Sequence, residues 1–401
     1  MKKLLSQKNI CVVTGSRSEY GLLYWILKTL FEDKEINLQI IVTGMHLSPE
    51  FGETYKQIED DGFKISYKVE MLLSSDTKSS ITKSVGLGVI GFADAYENLK
   101  PDLVILLGDR FEILAAAQSA LIFQIPIAHI HGGEVTEGSI DESFRHAITK
   151  FSQIHFTATE EYRKRIIQMG ENPDFVFNFG APGLDAISKM VYFNQSDLEE
   201  SLGIKFGNLN FLVTLHPVTI FSQEQNLNSV NELLNALREY PEAKIIFTKT
   251  NSDAFGIAIN KLLEEFVQNN PLNCVIHSSL GHKRYLSLLK FVDVMIGNSS
   301  SAFIEAPIFN LPSINIGCRQ NGRVAASSVI NCSDNKDEII TSISKALSKE
   351  FKKLIEFQDL PYGKGGDNSI KICKQIKYFL LDSDFSKHKF IKKKFFDIAN
   401  F

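Results

Sequence analysis

Short runs of consecutive apolar residues alternate along this chain with stretches whose apolar residues recur at helical spacing. Ile10–Thr14 reads as a buried strand. After a turn at Gly15, Leu22, Leu23, Ile26, Leu27 and Leu30 fall on one side of a helix. Leu38–Thr43 and Leu103–Leu107 repeat the strand pattern, Phe111–Phe123 the helical one, and Pro126–Ile130, Ile154–Thr157 and Phe175–Asn178 are further strands. Continuous apolar strands joined by helices predict a parallel sheet covered on both faces.

The rhythm pauses after Gly180-Ala181-Pro182-Gly183 and restarts at Asn210–Leu215. Lys244–Thr248, Asn273–Ile276, Val292–Ile296 and Ser313–Ile316 then alternate with helices. The expected architecture is α/β, with two Rossmann-like, doubly wound halves facing a cleft. Residues 1–183 form the first domain, 184–368 the second, and 369–401 a terminal helix and basic tail. The length of 401 residues suits two such cores.

Ligands of open parallel sheets sit beyond the carboxyl ends of the strands. Here those ends are polar. Thr14-Gly15-Ser16-Arg17, Thr43-Gly44-Met45-His46, Gly108-Asp109-Arg110 and His129-Ile130-His131-Gly132-Gly133-Glu134 close strands of the first half. His216-Pro217, Thr248–Asn251 and Gly297-Asn298-Ser299-Ser300-Ser301 do so in the second.

Ser299 and Ser300 before a helix suit a phosphate, although the same residues also serve as plain helix caps. Glu305, one turn on, can accept from a ribose diol. Arg319 and Arg323 can balance a diphosphate. The chain has no G-x-x-x-x-G-K-[ST] and no G-x-G-x-x-G, which disfavours a P-loop or dinucleotide fold.

In the first half, Asp109, Glu134 and Asp141 form a set of acids suited to proton transfer beside a leaving diphosphate, while Glu137 and Glu142 read as solvated. His129 and His131 lie two apart, on one face of a strand. A packed His129 and a functional His131 fit best, and no metal site is expected. His146 reads as structural. His216 faces the cleft, as a cation beside a phosphate or as a base.

The remaining features narrow the class. A net charge of −4 gives no pull toward nucleic acid. No apolar run approaches a membrane span, and the stretch after the basic start is too short for a signal-peptide core. Five scattered cysteines without a C-x-x-C pair read as reduced thiols of a cytoplasmic protein. Lys387, Lys389, Lys392, Lys393 and Lys394 among aromatic residues suit a terminal amphipathic helix docked on the fold more than a weak anionic-surface helix.

Taken in order over roughly residues 10–375, these segments resemble the hydrolysing UDP-N-acetylglucosamine 2-epimerases of sialic-acid and related biosynthesis. Leu107-Gly108-Asp109-Arg110-Phe111-Glu112, Ile140-Asp141-Glu142-Ser143-Phe144-Arg145-His146 and Gly317-Cys318-Arg319-Gln320 carry the likeness alongside the strand ends above. The resemblance implies a GT-B-like fold and a UDP-sugar substrate. It implies no metal or redox cofactor and a homodimer or homotetramer. The implied reaction eliminates UDP to a glycal and hydrates it, so UDP-GlcNAc would give ManNAc and UDP.

Asp109 and Asp141 match acids of the proton work, and His216 the histidine near the diphosphate. Arg17, Ser299, Ser300, Glu305 and Arg319 match nucleotide contacts. Glu19, Met45, His46, Arg110 and Asn251 are added as contacts from the same strand ends. Many relatives carry a glutamate where this chain has His131, so either His131 or Glu134 fills that catalytic position. A related branch takes UDP-2,4-diacetamido-2,4,6-trideoxyglucose toward legionaminic acid. The competing expectations are a non-hydrolysing epimerase, a glycosyltransferase and a non-catalytic nucleotide-sugar sensor.

Overall fold

Alternate residues of the first strand leave in opposite directions. Ile10 and Val12 pack with Leu23, Ile26, Leu27 and Leu30 of the helix Arg17–Phe31. Cys11 and Val13 pack instead with Phe92, Tyr96, Ala116 and Ala120. A strand apolar at every position can therefore only be central, with helices on both faces. Each aliphatic side chain so buried contributes about 1.5–3 kcal/mol relative to exposure.

The structure, a computed structural model, describes residues 7–250, 253–381 and 390–398. Its first sheet contains β1 (Lys8–Thr14), β2 (Ile36–Thr43), β3 (Tyr67–Val69), β4 (Leu103–Leu107), β5 (Ile127–Ile130), β6 (Ile154–Thr157) and β7 (Val176–Asn178). They lie in the order β3-β2-β1-β4-β5-β6-β7, and every neighbouring pair is parallel.

The second sheet contains β8 (Asn210–Thr214), β9 (Lys244–Thr248), β10 (Cys274–His277), β11 (Val294–Gly297), β12 (Ser313–Ile316) and β13 (Val329–Cys332). Its order is β10-β9-β8-β11-β12-β13, again parallel throughout. Each sheet reverses its winding between its first strand and the strand on the far side, β1/β4 and β8/β11. Those two crevices are where such sheets bind ligands.

β3, β13 and the helix Lys78–Leu99 are among the elements that escape the sequence pattern. β3 and β13 are edge strands of three and four residues. The helix Lys78–Leu99 is rich in Gly and Ser and has a weak apolar stripe. Its glycines permit close approach: a Cβ on Gly88 would lie 2.8 Å from Met71 Cε, and one on Gly91 2.7 Å from Val69 Cγ1.

The helix Asn368–Leu381 returns to the first sheet. Its Ile372, Cys373, Ile376 and Phe379 complete the core that contains Ile10 and Val12. The buried Asp185 carboxylate caps its start, accepting from the backbone N–H groups of Gly366, Asn368 and Ser369 at 2.8, 3.1 and 2.7 Å. Of the basic tail, Lys387 and Lys389 lie outside the described residues. Lys393 docks on the first domain: its Nζ donates to the carbonyls of Lys150 and Ser152 at 2.8 and 2.6 Å and pairs with Glu171 at 2.7 Å.

Candidate active site in the interdomain cleft

The carboxyl ends of both sheets open onto one cavity of about 340 Å³. The first half lines it with Arg17, Glu19, Met45, Asp109, Arg110, His131, Glu134 and Asp141. The second contributes His216, Ser299, Ser300, Glu305, Arg319 and Arg323. Nearly all the strand-end candidates therefore meet in one place.

Gly108, at φ +79°, turns the chain sharply out of β4 and presents Asp109. The Asp109 carboxylate accepts from Arg145 Nη2. Arg145 is 1 % exposed and also donates to Thr136 Oγ1 at 2.6 Å, to the Glu134 carbonyl at 2.8 Å and to the Glu142 carboxylate. One buried guanidinium thus ties the loop after β5 to the acid after β4. Glu142, expected to be solvated, is instead partly buried and paired. It also accepts from the Thr136 N–H at 2.6 Å and is held down to about 2, against burial, by its hydrogen bond with His146 and the charge of Arg145.

Asp141 opens the helix Asp141–Phe151 and accepts from the Ser139 hydroxyl. Burial pushes its carboxyl up to about 7, and the charges of Asp109 and Asp253 act in the same direction. Glu19 is pushed up to about 8 by burial and by Glu112, although it accepts from the Gly15 N–H at 2.7 Å. Two buried carboxyls that hold their protons toward neutral pH stand in one cleft with the Asp109 carboxylate, an arrangement suited to acid and base work.

His131 leaves β5 with φ +65°, and its Nδ1 lies 2.5 Å from Glu134 Oε1. The other carboxylate oxygen accepts from Arg323 Nη1 at 2.5 Å. Burial opposes charge on Glu134, but Arg323 and His131 outweigh it and hold the carboxyl far below its usual range. Arg323, expected beside a diphosphate, lines the cavity and pairs through Nη1 with Glu134, while its Nε has no partner among the described residues.

In the second half, the His216 N–H donates to Asn298 Oδ1 at 2.7 Å, and Asn298 Nδ2 returns a bond to the His216 carbonyl at 2.8 Å. Gly297 makes this crossing possible, since a Cβ there would fall 1.8 Å from the Thr214 carbonyl oxygen. Burial and the neighbouring Arg319 push the His216 imidazole down to about 3, so it is neutral near pH 7 and not the cation the sequence allowed.

The helix after Ser300 spans only Ser301–Ile304. Its dipole is correspondingly small, so a phosphate held there would depend on the serine hydroxyls and Arg319 more than on the helix. Arg319 is 9 % exposed and donates to the Asn298 carbonyl at 3.3 Å, while its Nε has no partner among the described residues. Glu305 follows the single turn, lines the cavity, and is pushed up by burial.

Some expectations fall elsewhere. His46 is fully buried, with its ring nitrogens 3.0 Å from Thr14 Oγ1 and 2.8 Å from Thr54 Oγ1, so it braces the β1 and β2 ends instead of meeting a ligand. Arg110 lines the cleft, but its Nε donates to Glu112 at 2.8 Å and its Nη1 to Asp253 at 2.9 Å. Asn251 lies outside the described residues. His129 is packed as expected, with ring nitrogens 2.7 Å from the Gly108 carbonyl and 3.2 Å from Thr149 Oγ1. Sequence reasoning missed Asp253, Glu112 and the central role of Arg145. Asp253 reaches Arg110 from the second domain and Arg145 reaches Asp109 over 36 positions, which no local spacing announces, whereas Glu112 lies two residues from its partner Arg110.

Residues 28–377 match the family described as UDP-N-acetylglucosamine 2-epimerase. The chain is 43 % identical over 349 residues to the GDP/UDP-N,N'-diacetylbacillosamine 2-epimerase (hydrolyzing) of Campylobacter jejuni, covering 87 % of this chain and 90 % of that protein. It is 37 % identical over 373 residues to the polysialic acid biosynthesis protein P7 of Escherichia coli, covering 92 % and 94 %. Its fold matches the UDP-GlcNAc 2-epimerase of Neisseria meningitidis solved with UDP-GlcNAc, with a TM-score of 0.77 and 19 % identity over 92 % of this chain and 99 % of that one. Two Rossmann-like domains around a polar cleft and a family match over most of the length converge: this chain belongs to the UDP-N-acetylglucosamine 2-epimerase family.

Proposed function

We propose that the protein is a hydrolysing 2-epimerase that converts UDP-GlcNAc to ManNAc and UDP. The observation that carries this reading is the meeting, in one cavity, of the first-domain set Asp109, His131, Glu134 and Asp141 with the second-domain set Ser299, Ser300, Glu305 and Arg319. The second set suits a nucleoside diphosphate: hydroxyls and a guanidinium for phosphate oxygens, a carboxyl for a ribose diol. The first suits proton movement at the sugar. Arg17 and the neutral His216, which line the same cavity, would donate to the departing diphosphate.

The reaction has two parts. The C1–O bond to the diphosphate breaks as C2 loses its proton, leaving a C1=C2 glycal. Water then adds its oxygen at C1 while C2 takes a proton on the opposite face. The sugar's overall oxidation level is unchanged, so the sequence of steps needs no redox cofactor. A second reading keeps the chemistry and changes the sugar to UDP-2,4-diacetamido-2,4,6-trideoxyglucose. The name of the Campylobacter jejuni relative favours it, and the name of the Escherichia coli relative favours a sialic-acid route.

Proton NMR in heavy water, with each UDP-sugar in its own tube, tests this. Free UDP with a 2-epimeric reducing sugar deuterated at C2 is the expected result, and the faster tube names the sugar. UDP-linked epimers at equilibrium would replace the reading with a non-hydrolysing epimerase. Binding without turnover would point to a sensor or transferase. A cytoplasmic homodimer or homotetramer belongs to the same proposal, and light scattering of the purified protein checks its assembly. Two features are consistent with it: among the described residues no helix is long and apolar enough to cross a membrane, and all five cysteines are free thiols.

A further inference from the structure

His131 combines three features that no other strand-end residue of this cleft shares among the described residues. Its backbone is left-handed, at φ +65°, a conformation that costs a non-glycine residue about 1–2 kcal/mol. Its Nδ1 is 2.5 Å from a carboxylate oxygen. Its Nε2 is buried without a hydrogen-bond partner among the described residues, although the residue lines the cavity. A buried nitrogen left unpaired is costly and is retained where it has a task. The neighbouring His129 has both ring nitrogens engaged, which makes the contrast local.

The carboxylate fixes the tautomer. Glu134 accepts from Arg323 through its other oxygen and is held ionised, so it can only accept from His131. Whenever the imidazole is neutral, its hydrogen therefore sits on Nδ1 and the Nε2 lone pair is free. Arg323 comes from the second domain, in the same loop as Arg319. The relay is therefore complete only when the two domains abut.

Resting on the hydrolysing-epimerase reading, we infer that His131 Nε2 is the base that takes the sugar C2 proton in the elimination step, with Glu134 and Arg323 as positioning residues. The C2–H electron pair becomes the C1=C2 bond, and the C1–O pair leaves with UDP. The imidazolium returns its proton to solvent before the next turnover. Hydration of the glycal takes its C2 proton from a different group on the opposite face, and the added water supplies hydroxide to C1 and a balancing proton to that group.

The test separates the two steps. Wild type, His131→Asn and Glu134→Gln are each given UDP-GlcNAc, and separately the 2-acetamido glycal with UDP, in heavy water. The same set is run with UDP-2,4-diacetamido-2,4,6-trideoxyglucose and its glycal. Asn tolerates the left-handed backbone, and an unchanged UDP affinity verifies each fold.

His131→Asn is expected to lose ~10²–10⁴-fold in kcat on the UDP-sugar and to hydrate the glycal within about threefold of wild type. In Glu134→Gln the amide can donate to Nδ1 and place the hydrogen on Nε2. Its kcat is expected to fall ~10²-fold with KM unchanged. Replacing Arg323 by Lys should restore more kcat than replacing it by Met.

A His131→Asn enzyme that eliminates normally, or that releases glycal and fails to hydrate it, overturns the assignment. Equal losses of kcat and UDP affinity in Glu134→Gln reduce that residue to a structural one and overturn its part. No turnover by wild type with either sugar removes the epimerase reading itself, and this inference with it.

Discussion

Arg110 Nη1 lies 2.9 Å from Asp253 Oδ1, so a guanidinium at the end of β4 grips a carboxylate of the second domain across the cleft. The side chains are 10 % and 5 % exposed. At such burial, removing one partner strands the other charge, a loss worth about 3–5 kcal/mol. Glu112, also paired with Arg110, remains to soften that loss. Asp253→Ala is expected to lower the thermal midpoint and to widen the distribution of interdomain distances in small-angle scattering. An unchanged scattering profile would show that the pair does not set the cleft.

Asp109→Asn should lose ~10²–10⁴-fold in kcat while UDP binds as before. Its carboxylate engages Arg145 and is not among the groups that would hold the nucleotide. Single-turnover kinetics with calorimetric UDP titration checks both halves. A wild-type rate in this variant removes Asp109 from the chemistry.

Gly138→Ala tests the fit between the domains by steric means. A Cβ there would lie 2.6 Å from Arg319 Cα and 3.0 Å from its N, both backbone atoms that cannot swing aside. The expected outcome is a weaker UDP affinity, by about tenfold, the equivalent of ~1.4 kcal/mol, with little change in the melting temperature. Calorimetry reads the first and thermal denaturation the second.

Glu19 makes stability depend on pH with a definite sign. Its folded carboxyl is raised from 4.5 to about 8, so between those values the folded state holds a proton the unfolded state has lost. Stability contributed by this group is present below about 4.5 and is lost as pH rises toward about 8. Glu19→Gln removes the titration. The stability of wild type minus that of the variant should therefore decline across this window in urea unfolding series. A flat difference would show that Glu19 titrates normally in the fold.

The central strands were readable because they are apolar at every position, and a strand buried on both faces allows no other pattern. Tyr67-Lys68-Val69 of β3 was not, since three residues at an edge are too few to show a period. The helix Lys78–Leu99 hid for another reason: its packing relies on Gly88 and Gly91, whose contribution is the absence of a side chain. In the site, Asp109 and His131 stood out as polar residues where strands end, and Asp141 as an acid at the start of the helix that follows. The pairings that give them character did not. Arg323 reaches Glu134 over 189 positions of chain, and Asp253 reaches Arg110 over 143. His46 shared the strand-end signature and yet points inward, because nothing in Gly44-Met45-His46 distinguishes a ring that meets the cavity from one wedged between Thr14 and Thr54.

The return of the helix Asn368–Leu381 to the first sheet bears on how the chain is made. The ribosome releases β1 to β7 before β8 to β13, yet the layer over Ile10 and Val12 lacks Ile372, Cys373, Ile376 and Phe379 until the entire second domain has been synthesised. Until then the amino-terminal half leaves part of that apolar layer uncovered beside the helix Arg17–Phe31, the kind of surface on which chaperones act. A nascent chain stalled before Asn368 is expected to be cut by protease within its first domain, and a finished chain to resist; equal resistance would show that the first core closes without its last helix. Strand β1 thus leaves the ribosome long before its own layer is sealed.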